Sequence, residues 1–119
     1  MFDKEMYDWC CELQKHIQDR YPQDNRLCHL IACTQLTKEV SEVLDCIPWK
    51  FERGMEPEPR ERLLEELADV FNFYMRLLWV HDVTPEEFRH AWIKKSEVVE
   101  RRLGCPGLIT TVLKHQEQG

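Results

Sequence analysis

Apolar residues recur every three or four positions along almost the whole chain, and this spacing constrains the fold more than any other feature. Such a pattern places apolar side chains on one face of an α-helix. It predicts four helices, at about residues 2–20, 26–46, 60–80 and 84–103. The sequence has no internal repeat and no β-hairpin signal. We therefore expect an all-α fold built as a four-helix bundle.

Capping and breaking residues set the boundaries of these helices. Asp24 or Asn25 is suited to cap the second helix, and Thr84 with Glu87 forms a capping box for the fourth. The segment 48–59 contains three prolines and a glycine. It predicts a loop that is long for a compact domain, and such loops are often functional or mobile.

The chain of 119 residues has the size of one domain. We expect this domain at residues 1–104 and a tail at 105–119, where Pro106 and Gly107 precede a short apolar run. That run either packs on a neighbouring subunit or hangs free. The third helix is apolar around most of its circumference, which is typical of a bundle centre or a subunit interface. A homodimer or homotetramer is therefore expected.

Acidic residues outnumber basic ones by 22 to 16, for a net charge of −6. Such a surface repels a nucleic-acid backbone, so no nucleic-acid partner is expected. No stretch reaches the roughly 20 apolar residues of a membrane span. The first residues lack a basic or apolar leader segment, which predicts a cytoplasmic chain.

The six cysteines form no C-x-x-C pair. In a cytoplasmic protein they are interpreted as buried free thiols, and a disulfide scaffold is the weaker alternative. Three tryptophans are expected in the core or in an interface: Trp9, Trp79 and Trp92.

Two acidic pairs dominate the candidate chemistry. Glu39 and Glu42 lie three residues apart on the second helix, as do Glu66 and Asp69 on the third, with Glu65 just before them. This spacing places both carboxylates of a pair on one helix face. Helical geometry turns both pairs toward the apolar, core-facing side.

Buried, unpaired carboxylates cost several kcal/mol each. The only cations near the pairs on these helices are Lys38, Arg62 and Arg76, so a cluster of hard metal ions fits better. Mg²⁺ prefers carboxylate oxygens and keeps waters and phosphate oxygens as further ligands. Such ions can bridge the phosphates of a nucleotide and acidify a water, whose proton one of the carboxylates or Glu65 accepts.

One acidic pair alone is common on a solvated helix face. The alternative to an enzyme is therefore a non-enzymatic helical interaction module. Its acidic pairs would form salt bridges with a partner, and the apolar third helix would be its docking face. Binding of Mg²⁺ or Mn²⁺ at the acidic residues distinguishes the two hypotheses.

The order Glu39-x-x-Glu42 followed by Glu66-x-x-Asp69 resembles the signature of the MazG-like nucleotide pyrophosphohydrolases. They form an all-α superfamily with the dimeric dUTPases, and the resemblance covers about residues 30–103. It implies a four-helix core, a dimer or dimer of dimers, and four Mg²⁺ ligands at these positions. Two or more ions per site are implied, with Mn²⁺ as a substitute.

The same resemblance implies hydrolysis of a nucleoside triphosphate to a monophosphate and pyrophosphate. The base stays open between a purine, as in dGTP, and uracil, as in dUTP, and ribose is not distinguished from deoxyribose. Single-domain forms of this kind are frequent in phages, for which the compartment is the host cytoplasm.

Further residues are candidates for substrate binding. Trp49 and Lys50 resemble a Trp-Lys pair of the dUTPase-like branch, where Trp49 would stack on the base and Lys50 would meet a phosphate. Asn72 is expected at the metal shell or the sugar. A late basic segment resembles one that contacts phosphates, and its candidates are Lys94, Lys95, Arg101 and Arg102.

Structural roles are the alternative for each of these side chains. Trp49 would close the end of the bundle, Lys50 would be a solvated loop lysine, and Asn72 a solvent-facing amide. Ser96 and Val98 depart from the Asn and Lys that many relatives carry in the late segment. The pair His81-Asp82 resembles the dyad of metal phosphohydrolases, but it is interpreted as a helix end because metal sites need several convergent ligands.

Overall fold

The structure is a computed structural model that describes residues 4–54 and 56–118, apart from the side chains of Phe51 and Gln118. Its α-helices are α1 (Lys4–Ile17), α2 (Asn25–Asp45), α3 (Arg60–Val80), α4 (Pro85–Leu103) and α5 (Leu108–Gln118), with single 3-10 turns at Gln18–Arg20 and Phe51–Arg53. The described ranges contain no β-strand. The predicted all-α class is confirmed, whereas the start of the first helix at residue 2 lies outside the described residues.

The helix ends follow the local signals in the sequence. The Asp24 side chain accepts a hydrogen bond from the backbone N–H of Leu27 at 2.8 Å and caps α2. Thr84 caps α4 in the same way, since its Oγ1 accepts from the N–H of Glu87 at 3.1 Å. Gly104 ends α4 at a φ of 74°, a left-handed conformation that glycine adopts without steric cost.

The segment after α4 forms a fifth helix rather than a free tail. Pro106 and Gly107 break the chain between α4 and α5 and do not prevent a new helix from starting directly after them. Ile109 is buried, and its backbone N–H donates to Oε1 of Glu100 on α4. Ile109 therefore packs within its own chain, whereas Leu108 and Val112 of the same apolar run are exposed. The predicted domain boundary at residue 104 stays a prediction.

The contacts divide the chain into two compact units, residues 1–82 and 83–119. The first unit contains α1, α2 and α3, and the second contains α4 and α5. Within the first unit α3 packs against both α2 and α1. The four-helix core and the oligomer stay predictions.

Helices α1 and α3 run in the same direction. Cys10 contacts Asn72, and one turn later Gln14 contacts Arg76. Both pairs are 62 positions apart in the sequence. A constant offset between partners is the mark of parallel helices.

Helices α2 and α3 run in opposite directions. Near the start of α2, the Nε2 atom of His29 lies 2.8 Å from the carbonyl oxygen of Val80 at the end of α3. Further along α2, Glu39 lies beside Glu66, which is closer to the start of α3. This antiparallel packing brings the last third of α2, with its acidic pair, opposite the first half of α3, where Glu66 lies.

Few apolar side chains are fully buried, and the predicted core needs correction. The apolar stripe of α2 extends beyond the surface that α3 covers, so several of its members are exposed: Leu27, Leu30, Val40 and Leu44. Trp9 is 54% exposed and does not lie in the core of its unit. All six cysteines are free as expected, but Cys33 is exposed. Over the residues that the structure describes, no helix is both long and apolar enough for a membrane span.

Candidate metal centre

Three acidic side chains meet between α2 and α3. Glu39 and Glu42 come from adjacent turns of α2, and Glu66 faces them from α3. One carboxylate oxygen from each residue lies within 4.8 Å of the other two. We call these three residues the acid cluster. The structure therefore brings together three of the four predicted metal ligands, and their metal role stays a prediction.

The acid cluster holds oxygens that nothing in the described chain satisfies. Glu66 is only 4% exposed, and its Oε1 accepts a hydrogen bond from Nη2 of Arg62 at 2.8 Å. Its Oε2 is buried without a hydrogen-bond partner, as is Oε2 of Glu39. A buried acceptor that lacks a partner loses the hydration it had in water. The acid cluster therefore favours a proton or a cation.

The electrostatics of the acid cluster lead to the same conclusion. Burial away from water is the main cause that raises the pKa of Glu39, followed by the neighbouring Glu42 carboxyl group, which can share a hydrogen bond only when one of the two groups is protonated, and by repulsion from the other carboxylates. Burial and the same protonation-dependent contact with Glu42 also raise the pKa of Glu66, although the positive charge of Arg62 opposes this. The charged forms are thus disfavoured without added positive charge.

The donor set fits a hard divalent cation. Oxygens around one octahedral Mg²⁺ at about 2.1 Å lie roughly 3–4 Å from one another, which the spacing of the acid cluster can accommodate. Groups of exposed acids are common without any ion. What distinguishes this cluster is that Glu66 and Glu39 each have one buried oxygen without a hydrogen-bond partner.

Asp69 and Glu65 occupy different positions from the acid cluster. Asp69 is exposed, which corrects the expectation that its side chain faces the core. Asp69 does not belong to the group whose carboxylate oxygens all lie within 4.8 Å of one another. Its negative charge nevertheless contributes to the raised pKa of Glu39. Glu65 is also exposed. The metal role of Asp69 and the catalytic role of Glu65 stay predictions.

A polar cavity of about 420 Å³ adjoins the acid cluster and includes one of its residues. Its lining comprises Lys38, Glu42, Asp45, Cys46, Glu58 and Arg62. The sequence marks Lys38 and Arg62 only as possible counterions, and it does not identify the other lining residues outside the cluster as part of the site. The signal for Arg62 was its position one helical turn before Glu66, a spacing at which side chains meet.

The candidate nucleotide contacts in the first unit lie in two places. Trp49 and Lys50 follow α2, where Nζ of Lys50 is 4.8 Å from the centre of the Trp49 ring. Asn72 lies on α3, and its Oδ1 accepts a hydrogen bond from Sγ of Cys10 at 3.8 Å. Asn72 also lines an open cavity of about 250 Å³ together with Trp9 and Phe71. Their contacts with a substrate stay predictions.

The remaining candidates divide between the units. The late basic residues are all exposed on α4 in the second unit: Lys94, Lys95, Arg101 and Arg102. In the first unit, His81 forms the C-cap of α3, and its ring centre lies 3.9 Å from that of His29. This position agrees with the interpretation of His81-Asp82 as a helix end.

The comparisons with known proteins bear on the whole described chain. A family model described as dUTPase matches residues 4–117. The matched range includes the acid cluster and the cavity beside it. The comparisons with curated proteins and with solved structures gave no significant match.

Proposed function

We infer the function from the premise that this chain belongs to the dUTPase family, whose model it matches over residues 4–117. Membership makes it a nucleotide hydrolase of the dUTPase type. The finer assignment, to the MazG-like branch, is a proposal that rests on the resemblance of the two acidic motifs.

We propose that the chain is a magnesium-dependent pyrophosphohydrolase that converts a deoxynucleoside triphosphate and water into a monophosphate and pyrophosphate. The observation that carries this proposal is the acid cluster, with its two buried and unpartnered oxygens. Glu39, Glu42 and Glu66 would hold Mg²⁺, with Asp69 as the fourth ligand. Two or more ions are proposed, and Mn²⁺ would substitute.

Bound Mg²⁺ would neutralise phosphate charge and make a water more acidic. In the proposed reaction, the oxygen of a water forms a bond to the α-phosphorus. At the same time, the bond breaks between that phosphorus and the oxygen that bridges the α- and β-phosphates. Pyrophosphate leaves with the electron pair. The proton of the water passes to a carboxylate of the acid cluster or to Glu65.

The substrate contacts follow from the type of each side chain. Trp49 is 44% exposed and offers a ring face on which a base would stack. Lys50 would contact phosphates, and Asn72 would contact the metal shell or the sugar. The phosphate role of the basic residues on α4 stays a prediction from the resemblance. The family description favours dUTP as the first substrate to test, with a purine triphosphate such as dGTP as the alternative.

An assembly of identical chains is part of the proposal. Exposed apolar side chains on α2 and α3 support it, since association would remove their apolar surface from water. These side chains are Leu27, Leu30, Val40, Leu44, Leu64 and Leu67. A homodimer or homotetramer would cover them.

The direct test is to incubate the protein with each deoxynucleoside and ribonucleoside triphosphate, in Mg²⁺ or Mn²⁺, and to separate the products by anion exchange. Monophosphate with pyrophosphate from a subset of substrates supports the proposal and identifies the base. Formation of diphosphate and phosphate would show cleavage between the β- and γ-phosphates and would contradict the proposed cleavage between the α- and β-phosphates. No turnover of any substrate by folded protein, with metal present in the assay, would favour the interaction module, and failure to bind Mg²⁺ or Mn²⁺ would support that alternative further.

A further inference from the structure

We propose that Arg62 is an exchangeable counterion, which holds Glu66 when the acid cluster has no divalent cation and turns to substrate phosphates when the cation binds. The phosphate part of this inference rests on the proposed function. The counterion part rests on the contacts of Arg62 alone. Arg62 has no part in the reaction steps proposed above for the acid cluster and Glu65.

The ion pair between Arg62 and Glu66 is asymmetric. Nη2 of Arg62 lies 2.8 Å from Oε1 of Glu66, but the side chain of Arg62 is 55% exposed while that of Glu66 is 6% exposed. The carboxylate is fixed inside the protein, and the guanidinium reaches it on a long stem from the surface. Arg62 can therefore return to water when another cation takes its place at Glu66, which by itself would remain buried and charged.

A divalent cation and Arg62 compete for the same carboxylate. Glu66 has one oxygen bonded to Arg62 and one buried oxygen without a partner. A cation held jointly by Glu66 and Glu39 would repel a guanidinium in contact with Glu66. The ion pair between Arg62 and Glu66 must weaken binding of the cation by the same factor by which the bound cation weakens the ion pair, because coupling between two interactions is reciprocal.

The cavity beside the acid cluster can receive the guanidinium of Arg62 when it leaves Glu66. Arg62 and Lys38 line the same cavity of about 420 Å³, and Glu42 belongs both to this cavity and to the acid cluster. Phosphates bound to a cation at Glu42 would therefore extend toward two basic side chains.

The same cavity predicts an order of binding. Besides its two cations it is lined by three carboxylates: Glu42, Asp45 and Glu58. This lining repels a free polyphosphate until a divalent cation neutralises part of it. Pyrophosphate should consequently bind with the cation and not before it.

The first experiment is calorimetric titration of Mn²⁺ into the wild-type protein, Arg62→Gln and the control Arg60→Gln. Arg60 is exposed at the start of α3, so its replacement removes one positive charge from the same helix and reports the long-range effect alone. We expect Arg62→Gln to bind Mn²⁺ about two- to fivefold more tightly than Arg60→Gln. Equal or weaker binding by Arg62→Gln would overturn the counterion role.

The second experiment titrates inorganic pyrophosphate into each protein saturated with Mn²⁺. Arg62→Gln should bind pyrophosphate roughly tenfold more weakly than Arg60→Gln, because it lacks a charged hydrogen-bond donor. Equal affinity would overturn the phosphate role of Arg62. Absence of Mn²⁺ binding to the wild type would contradict the proposed function itself, and is thereby distinguished from a failure at Arg62.

Discussion

Arg76 of α3 donates a hydrogen bond from Nη1 to Oε1 of Gln14 of α1 inside the first unit. The two residues are only 2% and 3% exposed. The guanidinium carbon lies 3.5 Å from the centre of the Tyr21 ring, which stabilises the cation further. No carboxylate pairs with Arg76 among the described residues, so Gln14 is a principal partner of a buried charge.

Replacing Gln14 should therefore destabilise the fold. Gln14→Leu removes the acceptor and leaves Nη1 of Arg76 buried without it, which should cost about 2 kcal/mol of unfolding free energy. Urea unfolding followed by circular dichroism measures the change. The matched control is Gln18→Leu, since Gln18 is exposed in the turn after α1. If both variants unfold at the same urea concentration, the pair with Arg76 does not stabilise the unit.

Loss of a carboxylate from the acid cluster should stabilise the metal-free protein while it abolishes activity. Glu39→Gln removes one of three clustered negative charges and a desolvated group. We expect a higher melting temperature without metal at pH 7, and a loss of turnover of at least about a hundredfold. The control is Glu61→Gln, at an exposed position of α3, and it should change neither the melting temperature nor the turnover. Full activity of Glu39→Gln would remove this residue from the site.

The two acidic residues of the second motif should differ in their effect on metal binding. Glu66 is buried and belongs to the acid cluster, while Asp69 is exposed and does not belong to it. Glu66→Gln should therefore weaken Mn²⁺ binding more than Asp69→Asn does. Calorimetric titration of both variants gives the ranking. If Asp69→Asn weakened Mn²⁺ binding more than Glu66→Gln did, the ion would lie closer to Asp69 than to the acid cluster.

Stability should rise as the pH falls, in the absence of metal. The pKa values of Glu39 and Glu66 are raised in the folded chain, chiefly by burial. The folded state thus binds more protons than the unfolded state between the ordinary carboxyl pKa of about 4.3 and the raised values. The resulting stability is complete below the ordinary pKa and is lost as the pH rises through the raised ones.

The matched measurement uses the double variant Glu39→Gln/Glu66→Gln, in which both groups are neutral at every pH. Melting temperatures of the two metal-free proteins are compared at pH 7.5 and at pH 5.5, so that all other titrating groups cancel. The advantage of the double variant should shrink at the lower pH. A constant advantage would show that burial of these two carboxylates is not coupled to their protonation.

The sequence predicted those features that depend on neighbouring residues. Asp24, Thr84 and Gly104 mark helix ends through contacts within one turn, so the boundaries of α2 and α4 were close to those observed. The acidic pairs were found because helical spacing alone puts their members on one face. The family resemblance added the expectation that all four acidic residues bind Mg²⁺.

Features that depend on packing between helices were not predicted. The turn from Glu66 to Asp69 spans only three residues, yet one side chain is buried and the other exposed, because α2 covers just one side of α3. Arg76 looked like a possible counterion for the acids, but the parallel packing of α1 and α3 pairs it with Gln14. The exchange proposed for Arg62 likewise needs the position of the cavity, which no spacing reveals.

The most direct test of the central claim is to carry out the reaction in water labelled with ¹⁸O and to locate the label by mass spectrometry. dUTP is the first substrate, and Mg²⁺ is the metal. Attack at the α-phosphorus predicts one labelled oxygen in the monophosphate and none in the pyrophosphate, with no reaction by Glu66→Gln. Label in pyrophosphate, or release of diphosphate and labelled phosphate, would contradict the proposed reaction.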